Sequence, residues 1–320
     1  MGEEEITFID LFAGIGGIRS GFETDFSKCV FSSEWDKFAQ QTYYQNFKEI
    51  PKGDITKIDE KDIPPFDIVL AGFPCQPFSH AGLKKGFEDT RGTLFFEVAR
   101  IIKYHKPKVV FLENVKGFMN HDGGNTFLVI KKTLEDLGYK VYFKILNAKN
   151  FGVPQNRERI YIIGFLDDIN FNFPEPSGKK VKVGDILEEE EVDKKYTLSD
   201  KLWEGHKRRK EEHLKKGNGF GYSLFDKDSP YTSTISARYY KDGSEILIKQ
   251  EGKNPRKLTP REASRLQGFP KEFVIPVSDN QAYKQFGNSV AVPVIRALAR
   301  DIYKALNINN KNEDREIKDR

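Results

Sequence analysis

Short apolar runs alternate with stretches of mixed polarity along the first half of the chain. Ile68-Val69-Leu70 and Val109-Val110-Phe111-Leu112 contain no polar position, which predicts strands covered on both faces. By the same criterion strands are expected over residues 8–12, 30–34, 67–71, 109–113, 141–146 and 160–165. Between them, residues 38–47, 93–104 and 126–137 carry apolar side chains at helical spacing. Alternation of this kind predicts a doubly wound, Rossmann-like α/β domain. The pattern changes after Phe165. Asn172-Phe173-Pro174-Glu175-Pro176 reads as a linker, and the region beyond it is rich in Gly, Lys, Tyr and Ser with few apolar runs. That region predicts a second, smaller domain of mainly β and irregular structure. A helical period returns over residues 291–306, and this helix is expected to pack back on the first sheet. The expected divisions are therefore 1–172, 173–278, 279–308 and a charged tail over 309–320.

Composition narrows the class. The 320 residues are 38% hydrophobic and 13% aromatic, enough for a sizeable core. No run approaches the ~20 apolar residues of a membrane span, and the acidic start, Met-Gly-Glu-Glu-Glu-Ile-Thr, is unlike a signal peptide. Cys29 and Cys75 are the two cysteines, too few for a disulfide framework and without zinc-site spacing; a cytoplasmic, nucleoid-associated location is expected. The net charge of +4 is compatible with a polyanionic partner without demanding one. Basic residues cluster in the second half, at Lys207-Arg208-Arg209-Lys210, Lys215-Lys216 and Arg256-Lys257.

Phe8-Ile9-Asp10-Leu11-Phe12-Ala13-Gly14-Ile15-Gly16-Gly17 is a strand entering a glycine-rich turn. A dinucleotide fingerprint needs a third glycine where Arg19 stands, which argues against a nicotinamide cofactor. Glu34, at the end of the next strand, is placed to accept hydrogen bonds from a ribose diol, and Trp35 beside it offers a flat face to an adenine. In Gly53-Asp54-Ile55 the carboxylate can accept from an adenine amino group. Taken singly, the turn is an ordinary connection, Glu34 a solvated carboxylate and Trp35 a core residue. Their order on successive strands points to a nucleoside-like ligand without a pyrophosphate, such as S-adenosylmethionine.

Ala71-Gly72-Phe73-Pro74-Cys75-Gln76-Pro77-Phe78-Ser79 places a thiol between two prolines just past a buried strand. A lone cysteine is usually a small buried hydrophobe, but the prolines stiffen this turn and strand ends are where such sheets bind ligands. The following stretch holds Gly82, Gly86 and Gly92 with Lys84, Lys85 and Arg91, as in a mobile cationic lid. The next strand ends in Glu113-Asn114-Val115, and Gln155-Asn156-Arg157-Glu158-Arg159 adds two guanidiniums. Nucleophile, acid and cations at one sheet edge make a candidate reacting centre.

With these motifs in order, followed by Arg256-Lys257-Leu258-Thr259-Pro260-Arg261-Glu262-Ala263-Ser264-Arg265-Leu266-Gln267-Gly268-Phe269-Pro270 and Gln285-Phe286-Gly287-Asn288-Ser289-Val290, the chain resembles the cytosine-C5 DNA methyltransferases from Phe8 to about Val294. The resemblance implies a large catalytic domain, a small target-recognition domain and a DNA cleft between them. It implies that Cys75 adds to cytosine C6, that Glu113 holds or protonates N3, and that Arg159, with Arg157 beside it, offsets charge on the ring. Phe12, Glu34, Trp35, Asp54, Ile55, Pro74, Leu94 and Asn288 match positions that contact S-adenosylmethionine, with Gly14, Ile15, Gly16 and Gly17 forming the turn; S-adenosylhomocysteine is the implied product. The target base would flip out of double-stranded DNA, with the segment carrying Ser79, Lys84, Lys85 and Arg91 closing over it.

In the second domain, Thr234-Ile235-Ser236-Ala237 matches the family's short recognition element. Residues 217–222 and 236–248 resemble the recognition region of the Dcm-type branch, which methylates the inner cytosine of CCWGG or CCNGG. Thr234, Ser236, Arg238, Tyr239 and Lys241 are the expected DNA contacts, Arg238 as a reader of guanine or, equally, as a phosphate ligand. A monomer acting on DNA is expected, paired with a restriction endonuclease or orphaned. Two rivals differ in kind. A tRNA-acting enzyme of the same family would carry a Cys-Phe-Thr motif that is absent here, and a non-catalytic DNA-binding protein would not need Cys75, Glu113 and Arg159 together.

Overall fold

The computed structural model describes residues 5–74 and 94–307. A six-stranded sheet runs in the order β2-β1-β3-β4-β6-β5, with β1 at Ile6–Leu11, β2 at Ser27–Ser33, β3 at Ile68–Ala71, β4 at Val109–Val115, β5 at Lys140–Asn147 and β6 at Glu158–Phe165. The first four strands are parallel; β6 is antiparallel to both β4 and β5. The helices between them are α1 (Arg19–Phe22), α2 (Lys37–Phe47), α3 (Leu94–His105) and α4 (Asn125–Asp136).

Period-two geometry explains why the strands read as continuously apolar: successive side chains enter opposite cores. Phe8, Ile68, Leu70, Val109, Phe111, Tyr161 and Ile163 face one cluster, which α8 (Val292–Ala305) closes with Ile295, Leu298 and Ile302. Ile9, Leu11, Val69, Ala71, Val110, Leu112 and Ile162 face the other, covered by α3 and α4. The helix expected over 291–306 does return to the first sheet. Tyr303 fixes it there by donating its hydroxyl to the Phe22 carbonyl at 2.6 Å.

Several expected strand ends move, β2 running Ser27–Ser33 and β6 starting at Glu158 for example, and one of these shifts shapes the cleft. Residue 12 leaves β1, because Phe12 adopts a left-handed φ of 55°, a strained setting for an aromatic residue that turns the chain toward the glycines.

The region after the linker holds a small sheet, β7 (Leu224–Phe225), β8 (Leu247–Gln250) and β9 (Lys253–Arg256), and two helices, α5 (Asp200–Lys215) and α6 (Pro260–Leu266). The 16-residue α5 makes this region less β-rich than the sequence suggested. Its apolar stripe is too thin to register as a period, since His206 is its one buried residue. A third core joins Ile235, Tyr239, Ile246, Leu258 and Leu266 to Ala282, Tyr283 and Phe286 of α7 (Asp279–Asn288). The final segment thus divides, α7 packing with the smaller region and α8 with the large sheet.

The motif beginning at Arg256 is architectural. Thr259 and Glu262 cap α6 reciprocally, and Glu262, 0% exposed, takes a two-pronged ion pair from Arg256 at 2.7 and 2.8 Å.

Candidate active site

A cleft of about 740 Å3 opens at the carboxyl ends of β1, β3 and β4, the usual position for a ligand in a doubly wound sheet. It gathers Phe12, Gly14, Ile15, Gly17, Glu34, Trp35, Asp54, Ile55, Pro74, Leu94 and Asn288 with Glu113, Arg157 and Arg159. Of the twelve residues expected to hold a nucleoside, Gly16 is not among the lining residues. It turns away, so close to α2 that a Cβ there would lie 2.1 Å from the Phe47 ring.

Glu34 anchors one end. Its carboxylate accepts the Gly14 amide at 2.8 Å and the Asp36 amide at 2.7 Å, which ties the glycine turn to the end of β2. Burial pushes this carboxyl up, and the amides pull it back. Trp35 next to it is 78% exposed, an indole face presented to the cleft rather than to a core. Asp54 caps a short turn by accepting the Thr56 amide and hydroxyl at 3.1 and 2.8 Å; those bonds hold its carboxyl below the usual range. Gly17 is required by close approach: a Cβ would meet Ser289 Oγ at 2.6 Å.

Arg19, at the missing third glycine, is turned inward. It pairs with Glu23 and Glu49 at 2.7 and 2.8 Å, donates to the Tyr43 hydroxyl at 3.0 Å, and lies over Phe47. Its guanidinium braces α1 against α2, a use that a pyrophosphate-binding turn could not make of this position.

At the other end, antiparallel pairing of β4 with β6 sets Glu113 opposite Tyr161 and Val115 opposite Arg159. Arg159 Nε lies 3.2 Å from Glu113 Oε1, both side chains largely buried. Burial raises the Glu113 carboxyl above its ordinary range, with Arg159 and then Arg157 opposing it. Cys75, Ser79, Lys84, Lys85 and Arg91 lie outside the described residues. The chain leading to Cys75 is held nonetheless, because Asn114 donates to the Phe73 carbonyl at 2.9 Å.

The two guanidiniums serve different partners. Arg157 is 3% exposed and donates to the carbonyls of Ile235 at 3.0 Å, Gly287 at 3.1 Å and Ser289. Burial and the charge of Arg159 both work against its ionisation, but a guanidinium stays protonated in such settings.

Of the expected DNA contacts, Arg238 and Lys241 are exposed, and neither is in an ion pair among the described residues. Thr234 donates to the Asn156 carbonyl at 2.6 Å, and Ser236 to Glu245 at 2.6 Å. Tyr239 is a correction. It is 0% exposed, donates to the Ile246 carbonyl at 2.6 Å and accepts the Leu258 amide at 2.8 Å, so it is a core residue with no surface to offer. The sequence reasoning also passed over Asn114 and Gln155 as working residues although both sit inside the motifs. Gln285, first residue of the motif that ends at Val290, lines the cleft as well, and so do Asp36 and Lys284, which lie in no motif.

Comparison with known proteins agrees with this geometry. Residues 6–304 match the family model described as C-5 cytosine-specific DNA methylase. The chain is 66% identical to the type II methyltransferase M.SsoII of Shigella sonnei, covering 93% of this chain and 80% of that one. It is 63% identical to M.NlaX of Neisseria lactamica, covering 93% and 96%. The fold is shared with the Dnmt2 methyltransferase of S. pombe at a TM-score of 0.78 and 20% identity, over 94% of this chain and 99% of that one. A methyltransferase of Entamoeba histolytica gives 0.77 at 23%, over 95% and 99%. The chain belongs to the C-5 cytosine-specific DNA methylase family and is a DNA cytosine-5 methyltransferase.

Proposed function

We propose that this enzyme methylates C5 of a flipped-out cytosine within a specific double-stranded DNA site, using S-adenosylmethionine and a covalent bond from Cys75 to C6. The observation that carries the reading is the cleft itself, in which Glu34 and Trp35 stand at one end and the Glu113–Arg159 pair at the other. The residues present fit the cofactor: Trp35 offers an exposed aromatic face, Glu34 retains acceptor capacity for a ribose diol beyond its two amides, and Asp54 is an ionised acceptor.

When bound, S-adenosylmethionine supplies an electrophilic methyl to C5. The Cys75 thiolate forms a bond to C6, which places carbanion character on C5. Glu113, whose carboxyl burial pushes upward against Arg159 and Arg157, donates from its protonated form to N3, and Arg159 donates to the O2 side of the ring, so that charge developing there meets fixed partners. After C5 is methylated, its proton leaves to a base, the C6–S bond breaks and Cys75 is restored. A cytosine stacked in a duplex cannot reach such a cleft, and flipping is therefore part of the reading.

Residues 234–248 are assigned as the reader of DNA sequence, with Thr234, Ser236, Arg238 and Lys241 as its contacts and a CCWGG or CCNGG site as its target. The names of the relatives, type II methyltransferases, support a role beside a restriction endonuclease; a monomer acting in the bacterial cytoplasm completes the reading. A duplex carrying 5-fluorocytosine at the target tests the chemistry, because fluorine cannot leave C5 as a proton does. The expected result is a denaturation-resistant adduct that requires S-adenosylmethionine and Cys75; turnover of that duplex without any adduct would contradict the covalent route.

A further inference from the structure

The strand carrying Arg159 begins in a joint that the chemistry does not require. Gln155, just before β6, forms an isolated parallel bridge with Thr232, which leads into the recognition segment. The Asn156 amide donates to the Thr232 carbonyl at 2.9 Å, and the Thr232 amide to Pro154 at 2.8 Å. Gln155, 0% exposed, accepts the Ile235 amide at 3.1 Å while donating to the Leu266 carbonyl at 3.1 Å and to Gln267 Oε1 at 3.0 Å. Arg157 then ties Ile235 to the end of α7. From that end Gly287 presses on the same segment. A Cβ at Gly287 would lie 2.2 Å from the carbonyl carbon and oxygen of Ser236.

We infer that Gln155 and Arg157 are positioning residues for specificity, fixing the register of residues 234–238 against the Glu113–Arg159 pocket so that the base delivered to the pocket is chosen by contacts made next to it. This rests on the proposed assignment of residues 234–248 as the DNA reader. The physical argument is directional. A buried guanidinium whose N–H groups go to backbone carbonyls fixes the path of those backbones, and two segments, at Ile235 and at Gly287–Ser289, meet on this one group. The other anchors of the recognition segment are Ile235, Tyr239, Ile246 and Ile248 in the third core and the Ser236–Glu245 hydrogen bond; none of these reaches the strand that carries Arg159, whereas Gln155 and Arg157 do. A shift of one residue in the parallel pairing would move Arg238 by about 3.3 Å, more than a hydrogen bond tolerates.

The test compares wild type with Arg157→Lys, Gln155→Glu and Thr232→Val. Lysine keeps the charge but cannot reach three carbonyls as a fork. Glutamate keeps the acceptor for Ile235 and loses the amide donor. Valine removes one hydroxyl from the same joint and serves as the mild variant should the others fail to fold. The target site of the wild type is first mapped by bisulfite sequencing. Methyl-transfer rates are then measured on that duplex and on duplexes with single base-pair changes, alongside S-adenosylmethionine binding. The expected result for Arg157→Lys and Gln155→Glu is a cognate-to-altered rate ratio lowered at least tenfold, with cofactor Kd changed less than threefold. Thr232→Val should lower the ratio in the same direction by a smaller factor. Folded variants that keep the wild-type ratio would overturn the inference, whether their rates are unchanged or fall equally on every duplex. If instead Arg238→Ala and Lys241→Ala leave the ratio of wild type intact, the assignment of the DNA reader fails rather than the joint.

Discussion

Glu113 and Arg159 face each other across the antiparallel β4–β6 pair, carboxylate oxygen to guanidinium nitrogen at 3.2 Å, on the floor of the cleft that Glu34 and Trp35 enter from the other end. Their antiparallel pairing is what makes this possible. A parallel β6 would carry Arg159, which precedes its apolar run, to the opposite edge of the sheet.

The pair predicts a pH dependence. Burial raises the Glu113 carboxyl, and the proposed role needs it protonated. Activity on the cognate duplex should therefore fall as pH rises through that elevated value and be retained below it, until other groups titrate. Glu113→Gln keeps the shape and removes the titration. It should lower the rate by roughly 10²–10⁴, the range for a lost general acid, and abolish that limb of the profile with cofactor binding intact. A variant with full activity and the wild-type profile would remove Glu113 from the chemistry.

Glu34→Ala should weaken S-adenosylmethionine binding by about 1–3 kcal/mol. Part of that loss belongs to the Gly14 and Asp36 amides, which Glu34 holds in place. Titration calorimetry reads the change directly, and an unaltered Kd would leave Glu34 a bracket for the turn and nothing more.

Arg238 and Lys207 should behave differently on DNA. If Arg238 reads a guanine edge, Arg238→Ala should cost about 1–3 kcal/mol on the cognate duplex and less on others. Lys207 is engaged by Glu204 and lies over the Trp203 ring; more broadly, Arg208 and Arg209 of the same helix face Glu212 and Asp242. This basic run is thus largely neutralised within the protein, and Lys207→Ala should weaken all duplexes alike and only slightly. Titrations at two salt concentrations against CCWGG, CCSGG and an unrelated duplex distinguish the two, and uniform weakening by Arg238→Ala would make it a phosphate contact.

The Arg256–Glu262 pair predicts a stability effect remote from the chemistry. Both side chains are almost fully buried, and removing one partner strands the other charge, a loss of about 3–5 kcal/mol for pairs of this kind. Arg256→Met should lower the thermal midpoint markedly, while below that midpoint the cofactor cleft, whose Glu34, Trp35 and Asp54 follow strands of the large sheet, keeps its affinity. An unchanged midpoint would show that the pair is relieved by water.

The strands were legible because residues such as Val109 to Leu112 are apolar at every position, a pattern that two covering layers of helix impose. The cleft was legible because its residues fall at strand ends in motif order. What stayed hidden depends on contacts between distant segments. Nothing local distinguishes Tyr239 from its exposed neighbours Arg238 and Tyr240; its burial follows from the Leu258 amide, 19 residues away, meeting its hydroxyl. Arg157 and Arg159 look equivalent in sequence and, two residues apart, both line the cleft, yet Arg157 precedes β6 and reaches backbone carbonyls while Arg159 within it meets Glu113. Carbonyl acceptors exist at every residue, so such bonds leave no compositional trace. Of helix α5 only the basic stretch Lys207–Lys210 read as helical, and its full length of Asp200–Lys215 did not, since a solvated helix has no apolar period to read.

Bisulfite sequencing of DNA from cells expressing the chain reads whether the enzyme, with Cys75 as the nucleophile that adds to C6, methylates C5 of cytosine at one DNA sequence. Wild type should protect a single cytosine position from conversion, the inner C of a CC…GG site, and Cys75→Ser, folded and still able to bind S-adenosylmethionine, should protect none. Protection that persists in the serine variant, or none by the wild type, would contradict this reading.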